Sequence, residues 1–220
     1  VHTAWSGKDG GYRRIPNQTE IKWSNDPAYA CYCTNNTIYG TRWNTPPSSS
    51  APLIADMSSD IFSRPIDWSA HAMVYAGAQK NIGPAGVTVV IIHEDLLAQC
   101  NANLPAMLRY DIHADKGSRY NTPPVFAVYC AGLVFKWILD CGGLAEMERH
   151  NEDKANIIYN AIDKSDGFYT PHADSDCRST MNIPFTTPSP ELDAKFIAEA
   201  TAQDMHNLKG HRSVGGIRAS

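Results

Sequence analysis

The sequence predicts an α/β protein with a mainly parallel sheet, and three observations carry that prediction. Four short apolar runs, Ala28–Cys33, Leu53–Ala55, Ala72–Tyr75 and Val87–Ile92, have strand length and are bounded by turn-forming residues. Later stretches, from residue 125 onward, repeat their apolar residues at helical spacing. Polar residues, Asn36–Thr37, Asp56 and Gln79–Lys80, fall just past the carboxyl ends of three strands. In open α/β sheets that edge is where ligands bind.

Residues 1–27 are polar, broken by Gly10-Gly11, Pro16 and Pro27, and read as irregular surface structure. The Ala28–Cys33 strand runs into the turn-rich Thr34-Asn-Asn-Thr-Ile-Tyr-Gly40, and the Pro/Ser-rich stretch 44–52 is a loop. Leu53–Ala55 is a short buried strand that ends in Asp56-Met-Ser-Ser-Asp60. Between the next two strands lies Tyr75-Ala-Gly-Ala-Gln-Lys-Asn-Ile-Gly-Pro-Ala-Gly86, expected as a loop on which the backbone turns tightly around Lys80. Residues 100–124 show little periodicity and close with Tyr120-Asn-Thr-Pro-Pro124.

A helix is expected after that Pro-Pro pair, with Phe126, Tyr129, Leu133, Val134, Trp137 and Ile138 in register and Gly142-Gly143 as its stop. A second helix covers about 144–162, and Met181–Phe185 reads as a strand. Ser189-Pro190 caps a third helix with Leu192, Phe196, Ile197 and Ala200 on one face. The composition changes near the first of these helices, so two domains are expected, 1–135 and a smaller one at 136–220.

Composition narrows the function classes. With 43% hydrophobic and 19% charged residues the 220-residue chain can bury a core. A formal net charge of −4 gives no basic field for nucleic acid or an anionic membrane, and no apolar run approaches bilayer-spanning length. The start, Val1-His-Thr-Ala-Trp-Ser-Gly-Lys8, has no signal-peptide pattern. Six cysteines form no Cys-x-x-Cys and eight histidines no His-x-x-x-His, so no metal site is expected. Buried free thiols are the expected state, with Cys31 and Cys33 on one strand face.

A lysine on such a loop is either a solvated charge or an amine kept for chemistry. If it binds an aldehyde cofactor, the chemistry needs an anion to hold a ring nitrogen protonated, and Asp56 is that type of residue. Asp56 is equally readable as a helix N-cap. Thr37, Asn121 and Thr122 offer neutral donors for a hydroxyl or a phosphate, although Asn121-Thr122 also suits a plain turn. Lys209, His211, Arg212 and Arg218 form a basic cluster able to clamp anions, or a solvated tail.

The sequence resembles the phosphoserine aminotransferases, fold-type I pyridoxal-phosphate enzymes of the class-V aminotransferase group. The resemblance rests on Thr34–Gly40, Ala55-Asp-Met-Ser-Ser-Asp60 through Ser63-Arg-Pro-Ile-Asp67, the Tyr75–Gly86 loop, Tyr120-Asn-Thr-Pro-Pro124, Gly132–Trp137, Gly142–Met147 and Lys209–Ser220. It implies a mainly parallel large domain that binds pyridoxal 5'-phosphate and a smaller α+β C-terminal domain.

By the same resemblance Lys80 would hold the cofactor covalently and move the substrate's α-proton, and Asp56 would pair with the ring nitrogen. Thr37 and Gln79 would line the cofactor pocket, and Asn121 and Thr122 would reach the cofactor phosphate of a partner subunit in a homodimer. His211 and Arg212 would bind the substrate phosphate and Arg218 the α-carboxylate. The implied reaction is amino transfer between glutamate and 3-phosphohydroxypyruvate in cytoplasmic serine biosynthesis.

The family's Gly-Arg phosphate pair, ring-stacking aromatic and second substrate-binding His-Arg pair have no counterpart, so a chain shortened at both ends is expected. A non-catalytic fragment that docks on a full-length subunit, and another pyridoxal-phosphate enzyme of the same fold, are the competing readings.

Overall fold

A computed structural model describes residues 1–220, and the chain forms two compact units that interleave along the sequence. One comprises 25–34 and 48–147; the other comprises 1–24, 35–47 and 148–220.

The first unit is built on a four-stranded sheet. Strands β1 (Ala30–Cys33), β2 (Leu53–Asp56) and β3 (Met73–Gly77) run parallel, with Cys33, Asp56 and Tyr75 in register at their carboxyl ends. Strand β4 (Thr88–Ile92) pairs antiparallel with β3. All four were legible as apolar runs; β4 is antiparallel because only a one-turn helix separates it from β3, too little chain for a crossover. That helix, α1 (Ala78–Asn81), carries Lys80 where the sequence predicted a loop. Burial of Ala78 and Ile82, both fully shielded, folds the turn onto the sheet.

The core here is Ala55, Met57, Ile61, Val74, Ala76, Ala78 and Ile82, on one face of the sheet. Beyond β4 come a single turn α2 (Glu94–Leu97) and α3 (Tyr110–Asp115), the latter in a stretch whose weak periodicity hid it. Helix α4 (Val125–Asp140) follows the Pro-Pro pair as expected and stops at Gly142. Its buried residues are Ala127, Ala131 and Ile138. Phe126, Tyr129, Leu133 and Trp137, which share the expected apolar spacing, are exposed.

The second unit holds most of α5 (Leu144–Asp163), an antiparallel sheet of β5 (Thr170–Pro171), β6 (Ile183–Thr186) and β7 (Ile217–Ala219), and α6 (Pro190–Ala202). Ser189 caps α6 through Leu192 N–H, with Pro190 in the first turn, as the sequence predicted. The core combines Ala155, Tyr159 and Ile162 of α5 with Ile183, Phe185 and Ile217 of the sheet. Tyr169, Phe185 and Phe196 meet edge to face around it.

The composition change expected at 135/136 falls inside α4, whereas the compact units exchange at 147/148, and residues 1–24 pack with the C-terminal unit. No single helix is long and apolar enough to cross a membrane. All six cysteines are free, as expected, but only Cys177 is buried; Cys31 and Cys33 are exposed on one face of β1. No cluster of potential metal ligands forms.

Candidate active site

The carboxyl edge of the parallel strands brings Asp56, Gln79 and Lys80 into one neighbourhood. Asp56 is the last residue of β2 and half-buried; its Oδ1 accepts Ser58 N–H at 2.9 Å and Ser58 Oγ–H at 2.6 Å. Ser58 Oγ accepts Gly77 N–H at 3.1 Å, and Gly77 is the N-cap of the turn that carries Lys80. At the other end of that turn Asn81 Nδ2 donates to the Ile61 carbonyl at 2.6 Å. The amine of Lys80 is therefore mounted on a short element tied at both ends to the segment that follows Asp56.

Gln79 folds back over Gly77, so close that a Cβ on Gly77 would come within 2.8 Å of Gln79 Oε1. Tyr75 is the register partner of Asp56 on β3. Burial, and then the charge of Asp56, pushes the Tyr75 hydroxyl up to about 12. Thr34, directly after β1, donates its N–H to the Asp56 carbonyl at 3.1 Å. The Lys80 loop returns against the start of α4, with Gly83 facing Ala131 and Gly86 facing Pro124 and Ala127. Just ahead of Pro124, Asn121 and Thr122 are exposed, and Asn121 Nδ2 donates to the Thr122 carbonyl at 3.2 Å.

The other expected site residues lie in the second unit. Thr37 sits in the turn closed by Asn36, whose Oδ1 accepts the N–H groups of Ile38 and Tyr39. Arg218, on β7, donates Nη1–H to the Thr37 carbonyl at 3.4 Å, so these two are neighbours. His211 and Arg212 occupy a tight loop between Lys209 and Ile217, which bridge to each other. Gly210 N–H donates to the Gly216 carbonyl, and His211 Nδ1 bonds Ser213 Oγ at 2.7 Å. A basic tail left to solvent would not be paired in this way.

Comparison with known proteins fixes the lineage. The family model "aminotransferase class-V" matches residues 4–220. The chain belongs to the class-V aminotransferase family. The phosphoserine aminotransferase of Herpetosiphon aurantiacus is 56% identical over 221 residues, covering 100% of this chain and 61% of that relative. A solved phosphoserine aminotransferase from Bacillus circulans subsp. alkalophilus superposes with a TM-score of 0.96 at 48% identity, covering 100% of this chain and 61% of that one. A pyridoxal-phosphate-bound phosphoserine aminotransferase from Trichomonas vaginalis gives a TM-score of 0.89 at 42% identity, covering 94% and 59%. The chain thus spans about three fifths of the length of these relatives.

The donor set suits the family's cofactor, pyridoxal phosphate. A carboxylate for its protonated ring nitrogen ends β2, a primary amine for its aldehyde stands on the helical turn that follows the adjacent β3, and Asp56 is braced by Ser58 rather than spent on a cation. The N-cap alternative for Asp56 is half true, since the carboxylate does close a turn over Ser58 N–H. Sequence reasoning missed Ser58 and Tyr75. The Asp-x-Ser spacing was a signal for Ser58, because a carboxylate readily bonds the backbone two residues on; Tyr75 read simply as the end of an apolar strand.

Proposed function

We propose that the whole protein is a pyridoxal-phosphate-dependent phosphoserine aminotransferase that moves an amino group reversibly between L-glutamate and 3-phosphohydroxypyruvate. The observation that carries this reading is the hydrogen-bonded link from Asp56 through Ser58 to Gly77, the N-cap of the turn that bears Lys80. The high identity of relatives bearing that name supports it.

Pyridoxal phosphate, when bound, supplies an electron sink for the carbanion formed at the substrate's α-carbon. Lys80 Nζ would anchor it and carry the α-proton. Asp56 would hold the ring nitrogen's proton, and Gln79, folded over Gly77, would line the cofactor pocket. Arg218 grips the α-carboxylate and Thr37 hydrogen-bonds the cofactor. His211 and Arg212 bind the substrate phosphate, a match between guanidinium and phosphate oxygens that selects for a phosphorylated keto acid. Asn121 and Thr122 serve the cofactor phosphate of a second subunit, which makes the active form a homodimer. The first compact unit supplies part of the cofactor-binding domain and the second the smaller domain, and the site of action is the cytoplasm.

The test is covalent trapping. The protein is mixed with pyridoxal phosphate, reduced with borohydride, digested and analysed by mass spectrometry. A phosphopyridoxyl group on Lys80 in preference to the other lysines is the expected result. Absent or evenly spread label, in the 220-residue chain and in a form extended at both ends, would sink the reading. For specificity, Arg212→Ala should raise KM for the phosphorylated keto acid about 10–100-fold, the loss of a charge-assisted hydrogen bond. KM for glutamate should change much less, and equal losses for both substrates would remove Arg212 from the phosphate role.

A further inference from the structure

We propose that Ser58 is a positioning residue of this site: its hydroxyl sets the Asp56 carboxylate in register with the turn that carries Lys80. The inference rests on the reading of Asp56 and Lys80 as the cofactor's partners and adds to it a residue that touches neither substrate nor ring.

The bond directions are determined. Gly77 N–H can only donate, so Ser58 Oγ accepts there at 3.1 Å, and its single proton goes to Asp56 Oδ1 at 2.6 Å. Ser58 N–H reaches the same oxygen at 2.9 Å. Both donors fall on Oδ1 and so fix the carboxylate's rotation.

The location explains why a side chain is needed. The parallel ladder between β2 and β3 runs through Ile54–Met73, Ala55–Val74 and Asp56–Tyr75. Its last backbone rung is Met57 N–H to the Tyr75 carbonyl at 2.9 Å. Past that point β3 turns into α1 while the chain after β2 enters the 57–61 turn, and no backbone pairing holds the two together. Ser58 Oγ to Gly77 N–H is one further rung made from a side chain, and Asn81 to the Ile61 carbonyl is another. Without the first, the amine and the carboxylate are set by independent segments, and small errors of placement at a reacting centre are costly.

The experiment uses the full-length protein loaded with pyridoxal phosphate, as Ser58→Ala, Ser58→Cys and Ser58→Thr. Three quantities are read: the dissociation constant for the cofactor, the pH midpoint of its visible absorbance, and the thermal midpoint of the cofactor-free protein. Ala should weaken cofactor binding about tenfold, as expected for loss of a hydrogen bond to a charged group. It should also move the absorbance midpoint upward by about 0.5–1 unit: a poorly aligned carboxylate lets the ring nitrogen lose its proton more readily, and the less electron-withdrawing ring makes the nitrogen joined to Lys80, whose protonation the visible band reports, more basic. Thr should restore both and Cys should lie between.

A merely structural serine would lower the thermal midpoint and leave the absorbance midpoint in place; that result overturns the proposal, as does Ala behaving like Thr. If Ala fails to fold, the Cys–Thr comparison decides by the same criteria. Should the unsubstituted protein show no cofactor band and no label on Lys80, the functional reading itself falls and takes this proposal with it. An unaltered midpoint in a protein that does hold the cofactor sinks the Ser58 role alone.

Discussion

A side chain at Gly210 would overlap the Gly215 carbonyl, so the loop that presents His211 and Arg212 closes only around a glycine. Gly210→Ala forces the loop open at a cost of about 1–3 kcal/mol, the range for overpacking against fixed neighbours. The expected signature is selective. On the proposed function, affinity for the phosphorylated keto acid drops, while phosphopyridoxyl labelling of Lys80, in the other compact unit, is retained. Loss of both together would show that the glycine supports the fold as a whole. Gly40 makes the same argument for the Thr37 turn: its φ is +68°, and a Cβ there would meet Pro184 and the Asn182 carbonyl. Asp56 and Lys80, the proposed cofactor partners, were legible as candidates because one ends and the other follows a strand that apolar run length reveals. Ser58 was not, since nothing in the sequence tells a serine that bonds across strands from one that bonds only within its turn.

Among the elements, α4 shows where helical periodicity stops being informative. Its ends were readable from Pro123-Pro124 and Gly142-Gly143, but its sequence is apolar nearly all round, so several faces satisfied the spacing. Where the packing face meets the Lys80 loop it carries small residues, Ala127 and Ala131: Ala131 is 4% exposed against Gly83, and Leu133 is 50% exposed. Ala131→Leu should therefore cost about 1–3 kcal/mol by overpacking, and Leu133→Ala within about 0.5 kcal/mol, both read from urea unfolding of the 220-residue chain. The reverse order would mean that the helix is rotated.

A second element, the turn Gln18–Glu20, is predicted to respond to acid. Arg14 donates both Nη groups to Glu20, and Asn17 N–H adds a third bond. The bond from Arg14 first, then that from Asn17, lowers the carboxyl to about 2 from an ordinary 4.5. A depressed folded-state value means that the unfolded chain binds the proton first. Glu20 thus contributes its full stabilisation above about pH 4.5, and loses it as pH falls towards 2. Comparing urea midpoints of the parent and Glu20→Gln across that window checks the sign: the gap between them should narrow as pH falls, and a constant gap would exclude the linkage. The contribution is small because the pair is solvent-exposed.

For the molecule as a whole, the interleaved units are the part that sequence patterning could not show. Residues 1–27 have no strand or helix period and read as surface, and indeed form only short turns at Lys8–Gly10 and Gln18–Glu20. On the N-terminal side their attachment to the C-terminal unit uses backbone carbonyls, which leave no trace in residue type, beside an Arg13–Asp174 ion pair and a Tyr12–Tyr39 ring stack. The Arg13 carbonyl accepts Asp174 N–H at 2.9 Å, the Gly11 carbonyl bonds His172 Nε2 at 2.8 Å, and Cys177 Sγ donates to the Arg13 carbonyl at 3.5 Å. Burial pushes the Cys177 thiol up, and the residue is fully shielded, which makes it a reporter of this attachment. Removing residues 1–24 should uncover it. The expected outcome is a labelling rate for Cys177 that rises towards that of exposed Cys33, with a lower unfolding midpoint for the C-terminal unit. The ties that mount Lys80, all within the other unit, stay intact. If Cys177 stays protected after the truncation, the N-terminal stretch is not what seals that unit, and its backbone bonds are incidental. If protection is lost and Lys80, the proposed cofactor lysine, can no longer be trapped either, the two units are energetically one body, and the placement of Asp56 and Lys80 depends on residues far from them in the sequence.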